Sequence, residues 1–277
     1  MRISAILTCH DRKQKTMACL ESFFKICPDA DVYLTDDGCT DGTFEAVSKQ
    51  FPKVQIIKGD GNLFWARGMY VAWKEAIKGN YDYYLWLNDD VELYADFMQE
   101  LMECEALGGN NCIVSGLIAD KESGKVIYGG SDAQKRLLDS NGCIQEITHM
   151  NGNVVLISKA VVDKIGIMDS KLHHDLGDVD YGLTAIENGL KVYTTRKPIA
   201  LGYTNDYCRV RKWNSSLSKR FERLYSPLGG NPKVNFYFRK KHYGIVNALI
   251  YYIYLHVLNL LPDTMVTMIW GDTYKDK

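Results

Sequence analysis

Two rhythms of apolar and polar positions alternate through the first ninety residues. Residues 3–8, 31–35, 54–58 and 81–87 are short apolar runs with the length of buried strands. Between them, residues 12–26, 44–51 and 64–78 carry apolar positions at helical spacing, the first through Met17, Leu20, Phe23 and Phe24, with Pro28 closing it. Strands and helices taking turns in this way predict an α/β fold with a mostly parallel, doubly wound sheet. Right-handed crossovers then bring the strand C-termini to one edge. Thr8-Cys9-His10-Asp11, Asp36-Asp37 and Asn88-Asp89-Asp90 should converge there. The second half is less regular. It predicts strands at 113–119, 126–128, 154–157 and 192–195 and helices at 159–165 and 181–188, with Gly129-Gly130 interrupting the pattern. No internal repeat or low-complexity tract is present.

The sharpest change of character follows the fourth run, where Tyr83-Tyr84-Leu85-Trp86-Leu87 gives way to Asn88-Asp89-Asp90. Ligands of open α/β sheets bind at that end of the strands. Two adjacent carboxylates there suit a divalent metal, Mg²⁺ or Mn²⁺, that bridges to phosphates. They equally suit an acidic turn, since Asn and Asp are favoured turn formers. Asp36-Asp37-Gly38 also follows a strand, and a carboxylate at Asp36 can accept hydrogen bonds from a ribose or a base. Asp41 or Thr43 reads instead as the cap of the next helix.

Gly59-Asp60-Gly61-Asn62 precedes a helix without the spacing of a dinucleotide or P-loop motif. Asn62 and Arg67, near that helix's N-terminus, can still meet a phosphate or sugar. Trp65 offers an aromatic face to a base or an acceptor, or simply to the core. Further on, His173-His174-Asp175-Leu176-Gly177-Asp178-Val179-Asp180 leads to a helix expected from Tyr181. That start puts Asp180 at the N-cap, a structural place for a carboxylate, and leaves Asp178 on the preceding loop, free to face a cleft. His173 and His174 lie close to it in sequence.

Composition adds limits. Of 277 residues, 46% are hydrophobic and 24% charged, as in ordinary globular proteins, and the net charge of −1 gives no reason to expect nucleic acid. From Arg209 to Lys241, however, basic residues are opposed only by Glu222. Eight cysteines without Cys-x-x-Cys pairs exclude zinc-site spacing and make a disulfide framework unnecessary, which points to reduced thiols in the cytoplasm. The apolar start is too short for a signal peptide. Residues 244–261 are the most hydrophobic segment. Asn247, His256, Asn259 and Pro262 argue against a span, and three readings remain: a helix lying on an anionic membrane surface, a helix packed on its own domain, or a homodimer contact.

Six segments, residues 3–8 with CHDR, then DDGCTDGT, GNLFWARGM, WLNDDVEL, NGNVVLISKAVVDKIGIMD and GDVDYGLTAIENG, stand in an order that resembles family 2 glycosyltransferases with the GT-A fold. The resemblance spans about residues 1–203 and is nearest to the bacterial rhamnosyltransferase-like branch. It implies a GT-A catalytic domain over 1–205, with a nucleotide-binding half at 1–100 and an acceptor half at 101–205, and a basic, apolar helical extension at 206–277. It further implies an inverting, hexosyl-type transfer from a UDP-, dTDP- or GDP-linked sugar to a glycan or lipid-linked acceptor in bacterial surface polysaccharide synthesis, at or near the inner face of the cell membrane.

By that resemblance Asp36 contacts the nucleoside, Asn88 and Asp89 the ribose and its surroundings, and Asp90 the metal; Thr8, His10, Asn62 and Arg67 complete the donor side. Asp178 would be the general base, in the family's E-D-x-D motif, where Gly177 here replaces the Glu. Trp65, His174 and Asp180 would line the acceptor. Relatives often place a histidine after the last strand; Gly202-Tyr203-Thr204-Asn205-Asp206 stands here instead, leaving Asp206 or water to complete the metal. Two other functions compete: a sugar-phosphate nucleotidyltransferase, opposed by the glycine-free segment 6–12, and a silent carbohydrate-binding or scaffold protein, opposed by the presence of both Asp90 and Asp178.

Overall fold

The computed structural model describes residues 1–204 and 208–275. They divide into two compact units, the first comprising Met1–Ser170 and Gly177–Thr204, the second Lys171–Leu176 and the described residues from Cys208 onward. In the first unit the predicted order appears directly: β1 (Ile3–Cys9), α1 (Lys13–Ile26), β2 (Asp31–Asp36), α2 (Thr43–Gln50), β3 (Gln55–Lys58), α3 (Phe64–Ala76) and β4 (Tyr83–Leu87). There follow β5 (Glu92–Leu93), α4 (Phe97–Leu107), β6 (Cys112–Asp120), β7 (Val126–Tyr128), β8 (Gly130–Ser131), β9 (His149–Met150), β10 (Val154–Ser158), α5 (Lys159–Ile165), α6 (Gly177–Glu187) and β11 (Lys191–Gly202).

The main sheet runs β3-β2-β1-β4-β10-β6-β11-β5, with β7 beside β6. The neighbours β3-β2-β1-β4 and β6-β11 are parallel, while β10 is antiparallel to both β4 and β6. β4 is therefore a central strand, and its side chains alternate between two buried faces. Leu85 and Leu87 point into the aliphatic core with Leu7, Leu20, Phe23 and Leu101. Tyr84 and Trp86 point the other way, where Trp86 meets Trp73 of α3 at 5.4 Å and Tyr181 of α6 at 5.3 Å. Edge-to-face and tilted aromatic contacts of this kind fix the two helices against one strand.

Two expectations are corrected. The helix expected from Tyr181 begins a full turn earlier, at Gly177, so Asp178 is not on a loop and Asp180 is not the N-cap; both acids lie in the first turn. Gly177 reads as a breaker, yet a residue with no Cβ is needed there, because one would come 2.8 Å from the Ala66 methyl. The late strand runs twelve residues rather than four, since register shifts around Pro198 absorb a residue that cannot donate to a ladder. Finally, α4 and β5 lack a prediction because Glu92-Leu93 and the mixed face of 97–107 carry weak periodicity.

The second unit is helical, with α7 (Leu217–Tyr225), α8 (Pro232–Leu260) and α9 (Asp263–Trp270). Asn231 caps α8 by accepting from Lys233 N, with Pro232 at its first position. Gly244 breaks α8 with non-helical backbone (φ 83°, ψ 167°), where the hydrophobic segment begins. The basic stretch is partly consumed inside this unit. Arg211 is fully buried and donates to the carbonyls of Leu258 and Leu261 and to Asp263. Arg220 donates to Leu261 O at 2.8 Å and pairs with Asp263, and Arg209 pairs with Asp175 at 2.6 Å. Two guanidinium groups thus satisfy the carbonyl end of α8, a favourable place for cations.

Candidate active site

Parallel pairing brings the carboxyl ends of β1, β2 and β4 to one edge, with Cys9 opposite Asp36 and Ile6 opposite Trp86. Because β10 runs the other way, its amino end arrives at that same edge, Val154 opposite Leu87. Asn151-Gly152-Asn153 therefore join a site otherwise built from strand C-termini.

Asn88 is the hub. Its Oδ1 accepts from the Trp65 indole N–H at 2.7 Å, its Nδ2 donates to Asn153 Oδ1 at 2.8 Å, and its backbone N–H donates to Asn153 O. Trp65 stands in the first turn of α3 and lies against Gly152, where a Cβ would come within 2.3 Å of the ring. Gly152 N–H in turn donates to Asp178 Oδ2 at 2.9 Å, while Val179 N–H donates to Oδ1 at 2.8 Å. Asn88, Trp65, Gly152 and Asp178 thus form one continuous wall, held from below by Trp73, Trp86 and Tyr181.

Next to Asn88 the two acids separate. Asp89 is buried; it accepts from Thr16 Oγ1 at 2.9 Å and pairs with Arg12 at 3.4 Å. Asp90 is half-buried, with Arg12 at 2.9 Å and Lys15 at 4.0 Å. Arg12 and Lys15 so draw positive charge onto Asp90. Burial pushes the Asp89 carboxyl up to about 6, Arg12 pulling down and Asp90 pushing up.

A pH prediction follows for Asp89. Its folded-state value lies above the ordinary carboxylate value near 4, so between about pH 4 and 6 the native state holds a proton that the unfolded chain has lost. Its contribution to stability is therefore present below about pH 4 and is lost as pH rises through 6, a change on the order of 2–3 kcal/mol. Melting curves of the wild type and Asp89→Asn from pH 4 to 7 should show the wild type losing stability relative to the variant across that window. A constant difference would remove the assignment.

Asp36 is buried and accepts from Cys39 N–H at 2.8 Å. Its neighbour Asp37, to which the sequence assigned no role, organises the glycine loop. Its carboxylate accepts from the backbone N–H groups of Gly61, Leu63 and Phe64 at 2.9–3.2 Å. Gly38 (φ 71°) makes the close approach feasible, since a Cβ there would sit 2.9 Å from Gly61 Cα. Phe64, at φ 57°, holds an unusual conformation for a bulky residue just before Trp65.

Thr8, the last residue but one of β1, is half-buried with its hydroxyl under Gly68 of α3, and His10 is exposed, its Nδ1 2.6 Å from Asp37 O. Asn62 is exposed on the loop, and Arg67 Nε donates to Ser170 O at 3.2 Å. Asp180 is 2% exposed, which leaves it no surface for an acceptor; its carbonyl accepts from Thr184. That expectation fails because the two-residue step, about 200° around the helix, turns Asp180 inward when Asp178 faces Gly152. His174 belongs to the second unit, lining a small pocket with His173, Asp175 and Asn235. Asp206 lies outside the described residues.

A family model described as glycosyl transferase family 2 matches residues 4–166, more than half of the chain. The chain belongs to glycosyl transferase family 2. No curated protein matches it in sequence. Among solved structures it is similar to the crystal structure of S. aureus TarS 1-349, at 14% identity and a TM-score of 0.58, over 100% of this chain and 76% of that one. The two share the GT-A fold.

Within this glycosyltransferase, sequence reasoning missed Arg12, Asp37, Gly152 and Asn153. Arg12 follows the first strand and faces the acids only because β1 and β4 are neighbours. Gly152 and Asn153 needed the direction of β10, which an apolar run does not reveal.

Proposed function

We propose that the protein is an inverting, metal-dependent glycosyltransferase that moves a hexosyl group from a nucleotide-diphosphate-sugar to a hydroxyl of a glycan or lipid-linked acceptor in bacterial surface polysaccharide synthesis. The observation that supports this most is the wall from Asn88 through Trp65 and Gly152 to Asp178, which sets one carboxylate beside the edge where Asp89 and Asp90 emerge.

Asp90 fits a divalent cation. Its present neighbours are themselves cations, and Mg²⁺ or Mn²⁺ commonly takes only one or two protein carboxylates, completing its shell with phosphate oxygens and water. Among the described residues no three-ligand group includes Asp90, in keeping with a shell finished by substrate. When bound, the ion supplies Lewis-acid stabilisation to the departing diphosphate. Asp36 accepts hydrogen bonds from the nucleoside, and Asn88 holds Trp65 as a floor beside the sugar. Asp178 takes the proton from the acceptor hydroxyl; the N–H groups of Gly152 and Val179 keep it aimed. Arg12, which neutralises both acids in the resting site, is positioned to accompany the diphosphate.

A screen of melting temperature against UDP-, GDP- and dTDP-sugars with and without Mn²⁺ tests this reading, because a ligand that binds only the folded state raises it. One donor class should stabilise the protein, and more strongly with Mn²⁺. Stabilisation by none would overturn the reading.

The second unit, taken by itself, carries a surface suited to a membrane. Val246, Leu249, Ile250, Ile253, Val257 and Leu260 are exposed at helical spacing after the Gly244 break, and Met268 and Ile269 of α9 are exposed as well. The segment from Ile245 to Leu260 is about 24 Å long at 1.5 Å per residue, short of a hydrocarbon core of about 30 Å. It suits a helix lying in the interface. Full-length protein should sediment with vesicles containing anionic lipid, and a chain lacking residues 239–277 should not. Equal sedimentation of the two would remove the membrane from the account.

A further inference from the structure

We propose that Cys9, Asp36 and Cys39 form a binding site for a soft divalent cation of the zinc class, separate from the carboxylate Asp90; an ion held there takes up the Asp36 carboxylate, so it and the nucleoside of the proposed donor compete for that residue. β1 and β2 pair in register with Cys9 opposite Asp36, so both side chains leave the sheet on one face. Three residues on, the turn at Gly38 (φ 71°) folds Cys39 back, and its N–H donates to Asp36 Oδ1 at 2.8 Å. One ligand atom from each of the three residues lies within 4.8 Å of the others.

The spacing of the sulfurs is the decisive quantity. Cys9 Sγ and Cys39 Sγ are 3.8 Å apart. A tetrahedral ion with zinc–sulfur bonds of about 2.3 Å separates two thiolates by about 3.8 Å. Cys9 and Asp36 are 4% and 5% exposed, so the site is preorganised at its inner side. Cys39 is half-buried, and the exposed carboxylates of Asp11 and Asp41 group around its sulfur within 4.8 Å, giving the cation an acidic way in. Two thiolates select zinc over the harder Mg²⁺ and Mn²⁺, for which Asp90 is the better partner. The ligands come from neighbouring strands, which is why no Cys-x-x-Cys spacing announces them.

The test uses the reduced full-length chain and Co²⁺ as a spectroscopic probe for zinc. Titration should produce a thiolate-to-cobalt charge-transfer band that Zn²⁺ displaces. Cys39→Ser, a near-isosteric change at a half-buried turn, should weaken Co²⁺ binding at least about tenfold, second-contact changes alone already costing that much. Cys9→Ser should do the same. Cys143→Ser, at an exposed thiol, and Asp90→Ala should leave the band unchanged. Because the readout is spectral, it stands whether or not the transferase reading holds. Absence of the band in the wild type, or its survival in folded Cys39→Ser, overturns the proposal; should Cys9→Ser fail to fold, Cys39→Ser alone decides.

Discussion

Asp178→Asn is expected to lower sugar transfer by about 10²–10⁴-fold, the usual contribution of a general base. The loss should fall on kcat, with the donor KM nearly unchanged, because the proposed function gives Asp178 the proton of the acceptor and leaves donor binding to Asp36 and Asp90. The variant should also melt slightly lower. Both carboxylate oxygens of Asp178 accept backbone N–H groups, and an amide can offer an oxygen to only one of them. The unsatisfied donor costs on the order of 1 kcal/mol. A rate loss of three powers of ten with so small a change in stability separates chemistry from folding. Full activity in the variant would remove Asp178 as the base.

Asp90→Ala is expected to have the second largest effect. Lewis-acid stabilisation of a leaving group is worth several kcal/mol, so transfer should drop by at least about 10²-fold. The residual rate should no longer respond to Mn²⁺ concentration. Asp89 cannot stand in for it. That carboxylate is buried at 4% exposure, committed to Thr16 and Arg12, and pushed toward neutrality by burial. An unchanged Mn²⁺ response in Asp90→Ala would place the ion elsewhere.

The acids at the end of β4 were readable from the chain because an unbroken apolar run that stops at Asn88 can only be a central strand reaching an edge. The proposed division of labour between Asp89 and Asp90 rests on the resemblance, and the burial of Asp89 beside a half-buried Asp90 supports it. Less was legible where a partner strand decides the geometry. Gly152 and Asn153 reach the site through the antiparallel direction of β10, and periodicity carries no direction. Gly177 looked like part of the loop before Tyr181, yet α6 begins with it, at a place where α3 leaves no room for a Cβ. That single turn makes Asp178 a first-turn residue and buries Asp180. The basic run from Arg209 to Lys241 looked like a surface field; three of its five arginines turn inward to Asp175, Asp263 and the carbonyl end of α8. Composition reports charge but not its partner.

In the proposed function one cleft divides its work between a metal-and-donor carboxylate, Asp90, and an acceptor-side base, Asp178. Calorimetric titration of the stabilising nucleotide-sugar, with and without Mn²⁺, into the wild type, Asp90→Ala and Asp178→Asn tests it most directly. The account predicts Mn²⁺-dependent donor binding that Asp90→Ala loses and Asp178→Asn keeps. Donor binding that persists with its Mn²⁺ dependence in Asp90→Ala, or disappears in Asp178→Asn, would contradict it.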